Sequence, residues 1–546
     1  MRITATRITG VLIALAAGPL ASAQADWLTR GGNVKRTGFT TEAVLPPVSV
    51  AWKFATDPGN TYGLNPVIVG DMAYWITNAT QYQAKPSFWP PEQPWPPSPS
   101  MQRPSWWPQD MLWPPTQIVS TVVAIRADTS LPVWRFEATD RIRCSPAYAG
   151  GLLCFGADNG VFYALDGESG ELKWFLKTAR AVRSAPAIVN GVIYFGTNDS
   201  KVYALDAAAG KQKWVFDADD DVYAAIAVSD VVWVACTNGT LYGLDPNRGT
   251  ERWRIPFVGA GGLYSAPAVE GRYAYLAAKD RIYKVAASGV ANPLGDALSA
   301  RITAPPALGR RYLYVGCENG TLYALDAARG QPVWTHKFHG AIAAQPLITG
   351  NLVVAGGSQG EVVALDALTG AVRWYYQELA PWAPERDALY ALMAAAASGG
   401  NLYLSWDDGN LACLSPDALD TSPPEISRRT PEPGSPGGAV APTGEMVIGA
   451  NLYDEGSGVN PADVHITLDG KPLELTHRPS GDYYYALPGS KSAPSLEDGW
   501  HTVAITAQDQ RGNKASDTWT FLVHGEAAPE EGKTVTPGSV GRTERY

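Results

Sequence analysis

One spacing recurs along this chain: Asp, three residues, Gly, three residues, Trp. It stands at Asp166/Gly170/Trp174, Asp206/Gly210/Trp214, Asp245/Gly249/Trp253, Asp326/Gly330/Trp334 and Asp366/Gly370/Trp374. Counted from a weaker copy at Arg126/Ser130/Trp134, the Trp-to-Trp steps are 40, 40, 39, 81 and 40 residues. The step of 81 holds two units, the degenerate one carrying Ala286, Val290 and Leu294. A fixed period of this length means repeated supersecondary units that bury their faces on one another. Each unit reads as four short strands. In one of them these are Ala185–Val189, Val192–Thr197, Lys201–Asp206 and Lys211–Phe216, with Asn190-Gly191 as the first turn. Four strands per roughly 40 residues is the pattern of a propeller blade.

The residue types suit the unit. Asp bonds its own backbone at a turn, Gly supplies a positive φ, and Trp fills the space between neighbouring blades. Inner strands are expected to begin near Pro66, Pro146, Pro186, Ile226, Pro267, Pro305, Pro346 and Ala395, which gives eight units. The last unit ends at Leu414 without a Trp strand. Val50-Ala51-Trp52-Lys53-Phe54 repeats the outer-strand pattern, so this N-terminal strand is expected to close the ring. The expected fold is all-β: an eight-bladed propeller closed by an N-terminal strand, plus a small immunoglobulin-like β-sandwich.

The Tyr-Ala-Leu-Asp-x-x-x-Gly-x-x-x-Trp pattern resembles the pyrroloquinoline-quinone (PQQ) propeller repeat family. The lead-in from Asp26-Trp27-Leu28-Thr29-Arg30-Gly31 to Arg36-Thr37-Gly38 resembles that family too, and the likeness spans residues 26–420. For catalytic members the resemblance implies a quinone on the axis, covered by a ring of two adjacent cysteines. It also implies a metal held by an acidic side chain and an amide. The five cysteines here are Cys144, Cys154, Cys236, Cys317 and Cys413; no two are adjacent, and no CxxC or CxxCH occurs. The six histidines offer no HExxH motif and no Ser/His/Asp arrangement. The reading is therefore a non-catalytic binding or scaffold protein with no catalytic residue and no resident cofactor or metal. The alternative is a PQQ-dependent dehydrogenase, with PQQ and calcium. The family's non-catalytic members include the propeller lipoprotein of the outer-membrane β-barrel assembly machinery. The present chain has no lipidation cysteine after its expected cleavage site.

The rest of the chain frames this core. Residues 1–23 read as a signal peptide: Arg2 and Arg7, an apolar run from Ile8 to Leu20, then Ala21-Ser22-Ala23. This implies export to the periplasm or the exterior. The propeller is assigned 24–420, the linker and start of the sandwich 421–442, the sandwich 443–524, and a disordered tail 525–546. Sandwich strands are expected at Met446–Leu452, Val464–Leu468, Tyr483–Leu487, Thr502–Ala507 and Thr518–Val523. Tyr453–Val459 and Asp509–Asn513, with Asp469-Gly470 and Asp498-Gly499, resemble bacterial immunoglobulin-like repeats. Their acidic loops are turn chemistry first and calcium ligands second. A net charge of −10 argues against a nucleic-acid partner, and no later stretch is long and apolar enough to span a bilayer.

Two surfaces qualify as partner sites. An insertion at 81–117 in the first unit carries Trp89, Trp95, Trp106, Trp107 and Trp113 among eleven prolines. With Trp382 and Trp406 it gathers aromatics on one sector, suited to a protein or glycan partner, unless the rings fold down as a plug. The second surface is the axial mouth, where successive units present Arg143, Arg183, Tyr223 and Tyr264. The arginines either hold an anion or pair with acids such as Asp219–Asp221. Cys144 and Cys154 flank one hairpin and are expected near disulfide distance. Cys236 and Cys317, a blade apart, are expected to stay unpaired.

Overall fold

The structure is a computed structural model. It describes residues 27–29, 31–54, 64–82, 116–259, 261–378, 390–407, 409–434, 446–478, 483–486 and 496–523. Among them the architecture is all-β, with a single three-residue 3₁₀ turn at Pro461–Asp463. The propeller part is a succession of four-stranded antiparallel sheets, the seventh extended by a fifth, parallel strand, Phe39–Thr40. Sheet one comprises Val67–Val69, Met72–Tyr82, Thr116–Arg126 and Pro132–Ala138. Sheet two is Ala147–Ala149, Leu152–Gly156, Val161–Asp166 and Leu172–Lys177. Sheets three to seven repeat the plan, with inner strands Ala187–Val189, Ala227–Val228, Ala268–Glu270, Ala307–Leu308 and Leu347–Thr349. Sheet eight takes Leu392–Ser398, Asn401–Trp406 and Leu411–Ser415 from the end of the array and Ser49–Phe54 from the beginning. The register of that last pairing runs from Ser49 opposite Ser415 to Phe54 opposite Leu411. Inner strands adjoin in chain order, and the strand of sheet eight adjoins that of sheet one.

The Asp/Gly/Trp spacing has a direct physical origin. The Asp166 carboxylate accepts the N–H groups of Glu168 and Ser169, and Asp245, Asp326 and Asp366 cap their turns the same way. Asp206 does so through Ala209. Gly170 then sits at φ +75°, where the Trp134 ring of the preceding sheet lies so close that a Cβ would fall 2.6 Å from it. The same landing recurs at Gly210 under Trp174, Gly249 under Trp214 and Gly370 under Trp334. In the degenerate unit Gly289, one residue before Val290, receives Trp253. Each indole N–H also reaches a carbonyl of the next sheet, as Trp134 to Gly167 and Trp214 to Pro246 at 3.0 Å. Trp52 makes the equivalent bond to Ala127 of sheet one at 3.0 Å.

Three details add to the sequence reading. Gly330 keeps the repeat spacing and a φ of +75°, but it receives no Trp ring. The preceding degenerate unit has Leu294 where the others have Trp, so the backbone itself closes in. A Cβ on Gly330 would fall 2.4 Å from the Leu294 carbonyl carbon and 2.5 Å from the Gly295 nitrogen. Glycine is still required there, for a backbone approach instead of a ring. The hairpin of sheet one is longer than expected, pairing Tyr82 with Thr116, so the insertion between its strands is residues 83–115. Within 421–442, read as linker and start of the C-terminal unit, Glu425–Thr430 is a strand paired with Ile448–Tyr453.

Beyond the propeller lie two more four-stranded sheets. One orders Glu425–Thr430, Ile448–Tyr453, Tyr483–Ala486 and Thr476–Arg478; the other Lys471–Pro472, His465–Leu468, Gly499–Gln508 and Lys514–Val523. They share a core of Ile448, Leu452, Ile466, Tyr484, Ile505, Trp519 and Phe521. This unit docks on the closing strand. Arg511 bonds Ser49 Oγ and the Pro416 and Ala418 carbonyls, and the Val50 N–H bonds the Gly456 carbonyl.

Candidate functional site

The axis is built from the lead-in segment. Trp27 bridges Ile68 of sheet one, and the Leu28 carbonyl takes the Tyr148 N–H of sheet two. The carbonyls of Val34, Lys35, Thr37 and Gly38 take the N–H groups of Val228, Val269, Leu308 and Ile348 in sheets four to seven. Phe39–Thr40 then runs parallel to the inner strand of sheet seven. Sheet three is met by Arg36, which is 1% exposed. Its guanidinium donates to the carbonyls of Ala185, Pro186 and Ile226 and to the Thr29 hydroxyl. A buried cation is tolerable only when its donors are satisfied this way. The sequence reading quoted the lead-in but missed Arg36. An arginine amid Gly31, Gly32 and Gly38 in that segment was the available signal.

Arg183 lies two residues before Ala185, whose carbonyl Arg36 holds. Its Nε lies 2.7 Å from Asp158 Oδ1, while Arg143 Nε lies 2.8 Å from Oδ2 of the same carboxylate. The bond to Asp158 holds Arg183 above its ordinary range. The expected pairing with Asp219–Asp221 is corrected. Asp219 pairs with Arg254, Asp220 accepts the Thr237 hydroxyl, and Asp221 accepts the Asn198 amide. Those three acids sit one sheet further round, and Asp221 adds a weaker charge effect on Arg183. Tyr223 and Tyr264 meet edge to face with ring centres 6.3 Å apart, Tyr264 being half exposed. The mouth is thus two guanidinium groups clasping one carboxylate beside a tyrosine pair. This arrangement suits binding an anionic or hydrogen-bonding group.

Trp89, Trp95, Trp106, Trp107, Trp113 and Trp382 lie outside the described residues, as does the signal segment 1–23. Trp406 is described and corrects the reading of it as a display residue. It is fully buried, 6.4 Å from Tyr376 ring to ring. It ends a strand whose whole face is core, so its ring packs inward. The five cysteines are all free and buried. The expected approach of Cys144 to Cys154 is therefore not found. Cys154 pairs with Ala147, and Cys144 sits beyond the hairpin, with its thiol hydrogen-bonded to the Gly156 backbone. Burial pushes the Cys144 thiol up to about 12.

Among the described residues one group of three metal-capable side chains is close together: Asp420, Asp454 and Asp509. It lies at the junction with the C-terminal unit, away from the axis. Backbone N–H groups of Ser422, Ser457, Gly458, Arg511 and Asn513 occupy these carboxylates. They read as turn-holding groups. Burial, with the charges of Asp420 and Asp509, pushes Asp454 up to about 6.

A repeat of four-stranded sheets, Trp-on-Gly contacts between them and a threaded axis define a β-propeller of the quinoprotein-repeat class. The chain belongs to the family whose model is described as outer membrane protein assembly factor BamB, matching at residues 119–292 and 284–418. A relative named outer membrane protein assembly factor BamB, from Shewanella oneidensis, is 30% identical over 123 residues, 22% of this chain and 30% of that protein. Quinohemoprotein alcohol dehydrogenase ADH-IIG of Pseudomonas putida is 31% identical over 148 residues, 25% of this chain and 20% of that protein. The matched stretches thus span less than a third of either relative. The solved structure of that type of enzyme, ADHIIG from P. putida HK5, superposes with a TM-score of 0.55 at 12% identity. It covers 77% of this chain and 84% of that one, a likeness of fold. Among the described residues no helix is long and apolar enough to cross a membrane.

Proposed function

We infer that this is an exported, non-catalytic binding or scaffold protein of the cell envelope, an eight-bladed propeller carrying an immunoglobulin-like sandwich. In this reading the eight sheets are blades of one ring, and the two C-terminal sheets form the sandwich. The partner is a protein, with a glycan as the narrower alternative. Recognition falls to the Trp- and Pro-rich insertion and the axial mouth. The observation that carries the reading is the mouth itself. Arg143 and Arg183 already share Asp158, and the one close carboxylate trio among the described residues lies at the junction with the C-terminal unit. An electrophilic centre needs an open, oriented donor set, and the described mouth offers a clasped one. Membership of the assembly-factor family favours the same reading.

The likeness to quinohemoprotein alcohol dehydrogenase favours a second reading, a quinone-dependent oxidoreductase. Affinity purification from the native host separates the two. A co-purifying envelope protein that is lost when residues 82–116 are replaced by Gly-Asn-Gly, at unchanged melting temperature, supports the first. If that variant instead melts far lower, the insertion is a plug. Dye reduction with an alcohol or sugar in the presence of PQQ and calcium, with a stoichiometric quinone spectrum, establishes the second.

A further inference from the structure

Sheets built on one plan show where the plan is broken. Three departures meet at one place, between sheets six and seven. The first is a strand: Phe39–Thr40 joins the inner strand of sheet seven in parallel, and among the described residues no other sheet of the propeller part has a fifth strand. The second is a turn. The hairpin after the inner strand is Gly70-Asp71 in sheet one, Gly150-Gly151 in sheet two, Asn190-Gly191 in sheet three and Gly350-Asn351 in sheet seven. In sheet six it is Gly309-Arg310-Arg311, and no other turn of this kind carries two cations. The third is Leu368. The second residue after the capping Asp is Glu168, Ala208, Asn247 or Ala328 in the other Asp turns, but here it is a leucine left 59% exposed.

The three departures line one cavity of about 300 Å³, a size at the lower end of small-molecule sites. Its apolar walls are Phe39, Tyr312, Tyr314, Ile348 and Leu368, and Arg310 and Arg311 stand among them. The Tyr314 hydroxyl donates to the Ala367 carbonyl at 2.9 Å, which leaves its ring as an apolar wall. The Arg311 guanidinium lies over the Tyr312 ring, 5.5 Å from its centre, a cation–π contact that positions the charge at the cavity. No carboxylate lines the cavity among the described residues. Asp366, beside Ala367 in the chain, is occupied by the Leu368 and Thr369 N–H groups and by Arg373. Arg252, Arg254 and Arg373 have carboxylate partners, whereas Arg310 and Arg311 form no ion pair among the described residues. A guanidinium fork matches the oxygens of a carboxylate or phosphate. Two such forks beside aromatic walls match an oxyanion carried on an apolar body.

We propose that this cavity binds a small organic anion, its carboxylate or phosphate head held by Arg310 and Arg311 and its apolar body set against Phe39, Tyr314 and Leu368. In an antiparallel four-stranded sheet the first and third hairpin turns share one end. That end is opposite to the connections between sheets that carry Arg143 and Arg183. The inference is therefore independent of whether the mouth binds a partner.

The test is isothermal titration of the purified chain with phenylacetate and with phenyl phosphate, beside phenylethanol, acetate and inorganic phosphate. At least one of the two aromatic anions saturates a single site per chain, and the tighter of them names the head group. Phenylethanol has the body without the charge; acetate and inorganic phosphate have the charge without the body. Each binds about tenfold more weakly or worse. In the double variant Arg310→Gln/Arg311→Gln the tighter anion loses about tenfold or more in affinity, as loss of charge-assisted hydrogen bonds does. Its melting temperature stays near wild type, because both side chains are exposed. Leu368→Asn costs about threefold through lost apolar contact. Arg272→Gln, in the corresponding turn of sheet five, leaves the affinity unchanged. The proposal is overturned if neither aromatic anion saturates a site, if phenylethanol binds as tightly as they do, or if Arg272→Gln loses as much as the double variant. The comparison with phenylethanol uses wild type alone, so it decides whatever the substitutions do to folding.

Discussion

Sheets two to four and the sector around sheet eight solve the same problem differently. In the regular arc, each Trp drops onto the next sheet's Gly and donates to its carbonyl, so every interface is a copy of the last. In the seam sector the copy fails. Trp374 of sheet seven is buried, yet its indole N–H has no hydrogen-bond partner, because the third strand of sheet eight ends in Ser415-Pro416 instead of the Asp turn. Stacking replaces it: Trp374 lies on Tyr376 with centres 5.8 Å apart, and Tyr376 approaches Trp406. Tyr376 also donates to Glu378, a carboxylate 2% exposed that Lys53 of the closing strand meets at 3.2 Å. The arc is held by repetition. The seam is held by one strand from the chain's beginning and by bonds from the C-terminal unit to Ser49 and Val50.

The sharpest break in that comparison is removal of residues 27–54. Both the axial segment and the closing strand go, leaving Leu411–Ser415 as an open edge. The expected product is aggregated protein with no monomer peak on size exclusion. A folded monomer would mean the arc is self-sufficient.

Next in size is Arg36→Ala. It strips the donors from three inner carbonyls and leaves them buried, at an expected loss of about 3–5 kcal/mol in denaturant unfolding. Arg248→Ala, on an exposed turn, serves as the control, with a loss below about 0.5 kcal/mol.

Asp454 tests the junction through pH. Its folded value, raised to about 6, exceeds the usual carboxylate value, so the folded state binds the extra proton. Stability is then greatest below the unfolded value and falls as pH rises from about 4 to 6. Asp454→Asn should gain about 1–2 kcal/mol at pH 7.5 and little at pH 4. A gain independent of pH would remove the charge from the explanation.

The smallest effect compares two tryptophans. Trp214→Phe loses the bond to Pro246 and should cost about 1 kcal/mol more than Trp374→Phe, whose N–H bonds nothing. Equal costs would erase the distinction between arc and seam.

The arc was legible in the sequence because its interfaces are made by residues at fixed offsets. Even the closing role of Trp52 could be read, since Trp52-Lys53-Phe54 copies an outer strand. What escaped was everything that depends on packing without a period. Gly330 sits at the right offset, yet its neighbour is set by the missing Trp of the unit before it. Trp406 has the same side chain as a display tryptophan, and only its place on a strand buried from Leu402 onward makes it core. Arg143 and Arg183 were visible, but their shared Asp158 was not, because that turn lies in the unit between them.

The ring's closure is tested most directly by native-state hydrogen exchange on Trp52→Ala. Trp52 joins sheet eight to sheet one through Ala127. Amides of Leu411–Ser415 and of Val67–Val69 should both lose protection, by similar factors, because one contact holds both sheets. Loss confined to Ser49–Phe54, with Val67–Val69 as protected as in wild type, would contradict a ring closed by this strand.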